Sequence, residues 1–360
     1  MNIAIAGGGS IGTQFAVHCA EKKHNVIIYT SNPTAFSTKL CTVNENSKIT
    51  HFGEIKSATN DAAEAFSRAD WIFVTVPQYR LAEMASIIFP YVKPGLKICL
   101  VPGAGGGEHF FSKCAERGAV IYGLQRVPAE ARVLDYGRSV MTGKYTDKLR
   151  VAAFDPENTD DCADIASYLL GVPYESVPNY LSLTLAPSNA VLNVSRLYTL
   201  LKDYEESKTY IKIPLFYGEW DNESSETALK CDEEIAEIRD ALDMFDLSMA
   251  GSLKEFYDCE TPEELTERIR GAELSKGIPA PMAATAMGCI PNFTARCFMN
   301  DFGFGLSVYV QTAELLGIDA VTMKTVMKWY RSLPDVSLRE FNYRDHGINN
   351  IDDLIKFYSA

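Results

Sequence analysis

A chain of 360 residues is longer than one small domain requires and long enough for two, each with its own core. A composition of 47% hydrophobic and 22% charged residues is that of a globular protein and excludes disordered and fibrous classes. The 47 acidic against 34 basic side chains leave a net charge of -13, with no Lys/Arg stripe to offset it, so a nucleic-acid backbone is excluded as partner.

The first element is an apolar strand at Ile3 to Ala6, followed at once by glycines and then by a helix reaching about Lys22. Glycines in that place do not make a signal-peptide core, and no apolar run approaches the roughly 20 residues that span a bilayer, so a cytoplasmic protein is expected. Further strands are predicted at Val26 to Tyr29, Trp71 to Val76, Ile98 to Val101 and Val120 to Tyr122, with helical stretches between them. This alternation predicts a doubly wound parallel sheet with crossover helices. Between Ser47 and Ser57 a polar/apolar alternation reads as a hairpin or extra strand at the sheet edge, ahead of a helix at Asp61 to Ala69.

After Gly171 the strand signals fade. Helical patterns cover Leu185 to Leu201, Glu223 to Phe245, Pro262 to Ile269, Ser307 to Leu316 and Val321 to Tyr330. The expected architecture is α/β plus all-α: a Rossmann domain over residues 1–178 and a helical substrate domain over 179–360, with Pro173, Pro178 and Asn179 punctuating the boundary. Exposed helical faces in the second half point to a homodimer. The nine cysteines include no CxxC pair and read as reduced packing thiols. The five histidines are far apart in sequence, so no metal site is expected.

Gly7-Gly8-Gly9-Ser10-Ile11-Gly12 satisfies G-x-G-x-x-G between a strand and a helix. Gly7 permits the tight turn, Gly9 admits a pyrophosphate to the backbone, and Gly12 lets helix and strand approach, while Ser10 and Ile11 open a helix whose N-terminus attracts phosphate charge. Dinucleotide binding follows, as NAD or NADP, with FAD the alternative. At the end of the second strand stand Thr30, Ser31 and Asn32 rather than the Asp or Glu that holds the ribose of NAD, and Lys39 adds positive charge, which favours NADP. Val76 and Pro77, and the loop Val101-Pro102-Gly103-Ala104-Gly105-Gly106-Gly107, follow later strands and are expected to surround the nicotinamide, with Gly103 and Gly105 allowing close backbone approach.

These motifs, with Asp70-Trp71-Ile72-Phe73-Val74-Thr75-Val76-Pro77 and Arg126-Val127-Pro128-Ala129-Glu130-Ala131-Arg132-Val133, resemble the NAD/NADP octopine/nopaline (opine) dehydrogenase family. Ser188-Asn189-Ala190-Val191-Leu192-Asn193 is similar to that family's Asn-x-x-x-His helix, and Arg296-Cys297-Phe298-Met299-Asn300-Asp301-Phe302-Gly303-Phe304-Gly305-Leu306 to its Arg-Tyr-x-x-Glu-Asp-x-x-x-Gly-Leu segment. The resemblance implies an enzyme that reductively condenses an amino acid with a 2-oxo acid, acting on CH-NH or CH-OH groups of a carboxylate-bearing small molecule. It also implies a His oriented by Asp as the proton-transferring pair, and here Asn193 stands where that His belongs.

An amide cannot exchange a proton near neutral pH but can donate a hydrogen bond to a carbonyl or hydroxyl oxygen. Three readings follow: Asn193 polarises the oxygen while water or another side chain moves the proton, His109 substitutes, or turnover has been lost. By the resemblance Asn189, Asn193, Asp301 and Arg296 are the candidate catalytic set, with Asn189 one helical turn before Asn193 and Arg296 suited to a substrate carboxylate. Tyr198, Tyr204, Phe216 and Tyr217 are read as packing residues. The rival functions are a dinucleotide-binding sensor or partner protein without turnover, and a hydroxy-acid or ketopantoate-type dehydrogenase, for which a Lys would be expected where Asn189 or Asn193 stands.

Overall fold

The structure is a computed structural model that describes residues 1–187, 189–206, 208–334 and 336–359. It divides into two compact units, residues 1–184 with the C-terminal 358–360, and residues 185–357. The division falls at Thr184/Leu185 rather than at the expected 178/179, and the last residues return to the first unit.

In the first unit, β1 (Asn2–Ala6), β2 (Asn25–Tyr29), β5 (Ser57–Thr59), β6 (Trp71–Val74), β7 (Lys97–Leu100), β8 (Val120–Leu124), β11 (Leu149–Ala153) and β12 (Tyr174–Ser176) form one sheet in the order β12-β11-β8-β7-β6-β1-β2-β5. β5 through β8 run parallel, and β11 is antiparallel to β8. The run Trp71–Val74 is buried throughout because helices cover the sheet, which is why these strands read as continuous apolar stretches. The crossovers are α1 (Ser10–Glu21), α2 (Ala62–Phe66), α3 (Leu81–Ile88) and α4 (Gly107–Glu116), with α5 (Thr159–Leu170) and the short α6 (Leu181–Thr184) following. Phe15, Val17, Ile5, Ile28, Phe73 and Tyr122 lie in the core of this unit.

A second sheet, absent from the sequence reading, has the order β4-β3-β10-β9, built from β3 (Lys39–Val43), β4 (Ile49–Glu54), β9 (Ala129–Asp135) and β10 (Ser139–Tyr145). The alternation read between Ser47 and Ser57 is thus split: β4 pairs antiparallel with β3 in this sheet, and only β5 sits at the edge of the main one. Gly53 makes the second sheet possible where it meets α1. A Cβ there would lie 2.6 Å from the Val17 carbonyl oxygen and 2.7 Å from the Ala20 Cβ, so glycine lets the β4 backbone rest on the helix.

The second unit is helical: α7 (Asn189–Leu201), α8 (Asn222–Asp240), α9 (Leu253–Tyr257), α10 (Pro262–Arg270), a π-helical segment (Phe298–Leu306) running into α11 (Ser307–Leu316), then α12 (Val321–Ser332) and α13 (Ile351–Tyr358), whose last residue belongs to the first unit. A small hairpin, β13 (Met282–Thr285) with β14 (Gly288–Pro291), interrupts the helices. Thr261 and Ser252 close capping boxes on α10 and α9 with Glu264 and Glu255. Among the described residues no helix is long and apolar enough to cross a membrane.

Candidate functional site

The glycine loop leaves β1 at the point where the strand order reverses, between β2 on one side and β6 on the other, the position where open α/β sheets bind ligands. Each glycine has a distinct steric reason. Gly7 holds φ +125°, which disfavours other residues. A Cβ on Gly12 would sit 1.9 Å from the Gly7 carbonyl oxygen and 2.8 Å from Thr75 Oγ1, so nothing larger fits between α1 and the strand ends. Gly9 is exposed, and a Cβ there would meet nothing within 4 Å. That open space lies over the first turn of α1, which carries no acidic residue and no side-chain cap at Gly9. Its amide N–H groups are therefore available to a phosphate, so these residues fit the pyrophosphate of a dinucleotide.

Around this loop the structure brings Ser10 and Ile11, both partly exposed, and Val76 and Pro77 beyond β6. Thr30 is buried and Ser31 is exposed at the end of β2. A Cβ on Gly8 would meet Thr30 Oγ1 and the Phe36 ring, each at 2.8 Å, so Phe36 belongs to the wall of the loop. Gly103 has an internal reason to lack a side chain, since a Cβ would lie 2.9 Å from both the Gly123 Cα and the Tyr180 hydroxyl. Gly105 and the next glycine hold positive φ, +79° and +70°, turning the chain into α4.

The turn into α4 carries a buried polar cluster that sequence reading did not anticipate. Glu108 Oε1 accepts from Thr184 Oγ1 at 2.5 Å and from the Tyr358 hydroxyl, and His109 Nε2 lies 3.0 Å from that same hydroxyl. His109 is 1% exposed and engaged inside the first unit, which argues against the role of substitute proton donor considered for it. Burial pushes the Glu108 carboxyl up to about 7, against the pull of the Thr184 and Tyr358 hydrogen bonds. Because the folded value is raised, the stabilisation is full below the ordinary carboxylate range near 4.5 and is lost as pH rises through about 7. Wild type is expected to lose on the order of 3 kcal/mol more stability than Glu108→Gln between about pH 4 and about pH 8. Urea unfolding at both pH values checks this, and equal losses in the two proteins would contradict it.

In the second unit a chain of hydrogen bonds joins three side chains from separate segments. Tyr217 donates its hydroxyl to Asn193 Oδ1 at 2.9 Å, and Asn193 Nδ2 donates to Asp301 Oδ2 at 2.8 Å. Asn300 Nδ2 donates to the other carboxylate oxygen at 2.9 Å. The packing that aligns them is local: a Cβ on Gly305 would lie 2.4 Å from the Ala190 Cβ, so glycine lets the π-helical segment seat against α7. Buried Arg196, one turn beyond Asn193, pins the loop that carries Tyr217 by donating to the Phe216 and Glu219 carbonyls at 3.1 and 2.6 Å and to Asp221 at 2.6 Å. Burial raises the Asp301 carboxyl above its ordinary range, opposed by the hydrogen bonds of Asn300 and Asn193 and by the charge of Arg296.

Asn193 and Asp301 are thus brought together, whereas Asn189, at the start of α7, and Arg296 are exposed. Ser188 lies outside the described residues. Tyr217, read from sequence as packing, joins the hydrogen-bond chain of Asn193 and Asp301; a hydroxyl 24 positions from Asn193 on an irregular loop carries no periodic signal. No metal site was expected from the sequence; among the described residues His18, Glu21 and His51 nonetheless place one possible ligand atom each within 4.8 Å of one another.

Comparison with known proteins fits this geometry. Residues 176–333 match the family model "NAD/NADP octopine/nopaline dehydrogenase, alpha-helical domain", and residues 3–151 match "Ketopantoate reductase PanE/ApbA". Tauropine dehydrogenase of Arabella iricolor is 24% identical over 335 residues, covering 83% of each chain. Opine dehydrogenase of Arthrobacter sp. (strain 1C) is 27% identical, covering 94% of this chain and 92% of its own. The fold is that of an octopine dehydrogenase solved with NADH and L-arginine, at a TM-score of 0.81 and 20% identity over 98% of this chain and 97% of that one. Through residues 176–333 the chain is similar to the helical domain of the NAD/NADP octopine/nopaline dehydrogenases, and over most of its length it is similar to opine dehydrogenases.

Proposed function

We propose that this protein is an NAD(P)-dependent oxidoreductase that reductively condenses an amino acid with a 2-oxo acid, or runs the reverse reaction. The observation that carries the reading is the Tyr217–Asn193–Asp301 hydrogen-bond chain, in which Asn193 and Asp301 stand on the two segments similar to those where the family has its His and Asp. In the forward direction the amine nitrogen and the carbonyl carbon join with loss of water, and the resulting C=N bond is reduced by a hydride at carbon and a proton at nitrogen. The nicotinamide, when bound, supplies the hydride.

The protein supplies orientation and charge. Asn193 has a second Nδ2 hydrogen beyond the one given to Asp301, and it polarises the carbonyl oxygen during condensation. Asp301 fixes the direction of that amide, and Tyr217 is the hydroxyl placed to carry the proton that Asn193 cannot. Arg296, exposed near Asp301, is suited to a substrate carboxylate, and Asn189 lines the approach. Gly7, Gly9, Ser10, Ile11 and Gly12 hold the pyrophosphate, with Thr30, Ser31, Val76, Pro77, Gly103 and Gly105 around the remainder of the cofactor. The lack of a carboxylate at Thr30, Ser31 and Asn32 supports NADP over NAD.

The match of residues 3–151 to ketopantoate reductases favours a second reading, reduction of a 2-oxo acid alone to a hydroxy acid. NADPH and NADH oxidation across a matrix of amino acids and 2-oxo acids separates the two. Oxidation is expected only when an amino acid and an oxo acid are both present. Oxidation with an oxo acid alone would replace the proposal with the hydroxy-acid reading, and cofactor binding without oxidation in any mixture would replace it with a sensor.

A further inference from the structure

α1 ends with His18 and Glu21 three residues apart, on one face of the helix. The strand β4 crosses that face closely because Gly53 has no side chain, and His51, two residues before Gly53 and hence on the same face of the strand, is carried to the same spot. The His18 and His51 rings lie 4.3 Å apart, and His51 Nδ1 is 2.9 Å from Glu21 Oε2. Two imidazoles and one carboxylate, drawn from two elements and converging on one point, are the donor set of a transition-metal site.

We propose that His18, Glu21 and His51 bind a divalent transition-metal ion of the Zn2+ class, which clamps β4 to α1. Tetrahedral coordination with bonds of about 2.1 Å spaces ligand atoms roughly 3.4 Å apart. The present ligand atoms lie within 4.8 Å of one another, and the exposed Glu21 and half-buried His51 need only small side-chain movements to reach that spacing. His18 is 3% exposed, and its Nε2 lies 2.7 Å from the Tyr145 hydroxyl, a contact that fixes the direction of the ring. Solvent reaches the site through Glu21, which gives the ion an entry path and a water as fourth ligand.

The test is titration of the untagged, chelator-stripped 360-residue chain with Zn2+ by calorimetry and with Co2+ by visible absorption. One ion per chain is expected, with a cobalt spectrum free of thiolate charge transfer and affinity weakened about tenfold or more by either His51→Ala or Glu21→Gln. Glu21→Gln, at an exposed position, keeps the result decisive if His51→Ala fails to fold. Wild-type affinity no tighter than that of the folded variants, or a cobalt–thiolate band from the cysteines, would overturn the site.

Discussion

Replacing Asp301 by asparagine is expected to lower kcat by on the order of 10²-fold or more while the KM for the nicotinamide cofactor stays within about twofold. The Asp301 carboxylate receives the Asn193 amide on one oxygen and the Asn300 amide on the other, and it is buried. Asp301→Asn keeps the shape but puts an NH2 group against one of two amide donors. The repulsive contact turns Asn193 away, and with it the group proposed to polarise the substrate oxygen. A structural role alone would appear as lost stability with little change in kcat. The kcat-against-KM split, measured alongside a thermal melt, separates the two, and a kcat within about threefold of wild type would contradict the positioning role. Tyr217→Phe is the companion: it removes the hydroxyl given to Asn193 Oδ1, and the pH profile of kcat should change shape if that hydroxyl carries the proton.

Substituting Gly12 by alanine is expected to weaken NADPH and NADH binding together by about 10²-fold and to cost on the order of 1–3 kcal/mol of stability. The added methyl would meet the Gly7 carbonyl at 1.9 Å and Thr75 Oγ1 at 2.8 Å, and the first of these is backbone that cannot rotate away. Helix α1 must therefore shift from the end of β1, taking its N-terminal amides out of register with the pyrophosphate. Gly9→Ala is the contrasting variant: its Cβ meets no protein atom, so it should fold as wild type and lose affinity only by crowding the ligand. Cofactor fluorescence titration and urea unfolding of both variants check the pair. Unchanged affinity in Gly12→Ala would remove the glycine loop from the binding site.

The parts of this fold that could be read from sequence are those whose signals are local. Trp71–Val74 and Lys97–Leu100 announce themselves because strands covered on both faces are continuous apolar runs. The helix Ser307–Leu316 was placed at its observed bounds because its pattern is periodic and Gly317, in the left-handed conformation, stops it. The second sheet was missed for the opposite reason. Along β9 only Ala129 and Ala131 are buried and the rest of the strand faces solvent, so there was no sustained alternation to find, and β3 pairs with β10 across nearly a hundred residues. The site divides in the same way. The glycine loop is contiguous and was visible, and the Asn193 and Asp301 positions emerged through their resemblance to family motifs. Tyr217, the Glu108–Tyr358 contact and the His18–His51 pair are set by tertiary packing between distant segments, which no window along the chain contains.

The most direct measurement is the mass of the product formed from NADPH or NADH deuterated at the transferred C4 position, with an amino acid and a 2-oxo acid supplied together. The proposed reaction predicts one deuterium in a secondary amine whose mass is that of the two substrates joined, less one oxygen, plus the added hydrogen and deuterium in place of the two lost as water. Deuterium recovered in a 2-hydroxy acid, or retained entirely in the cofactor, would contradict it.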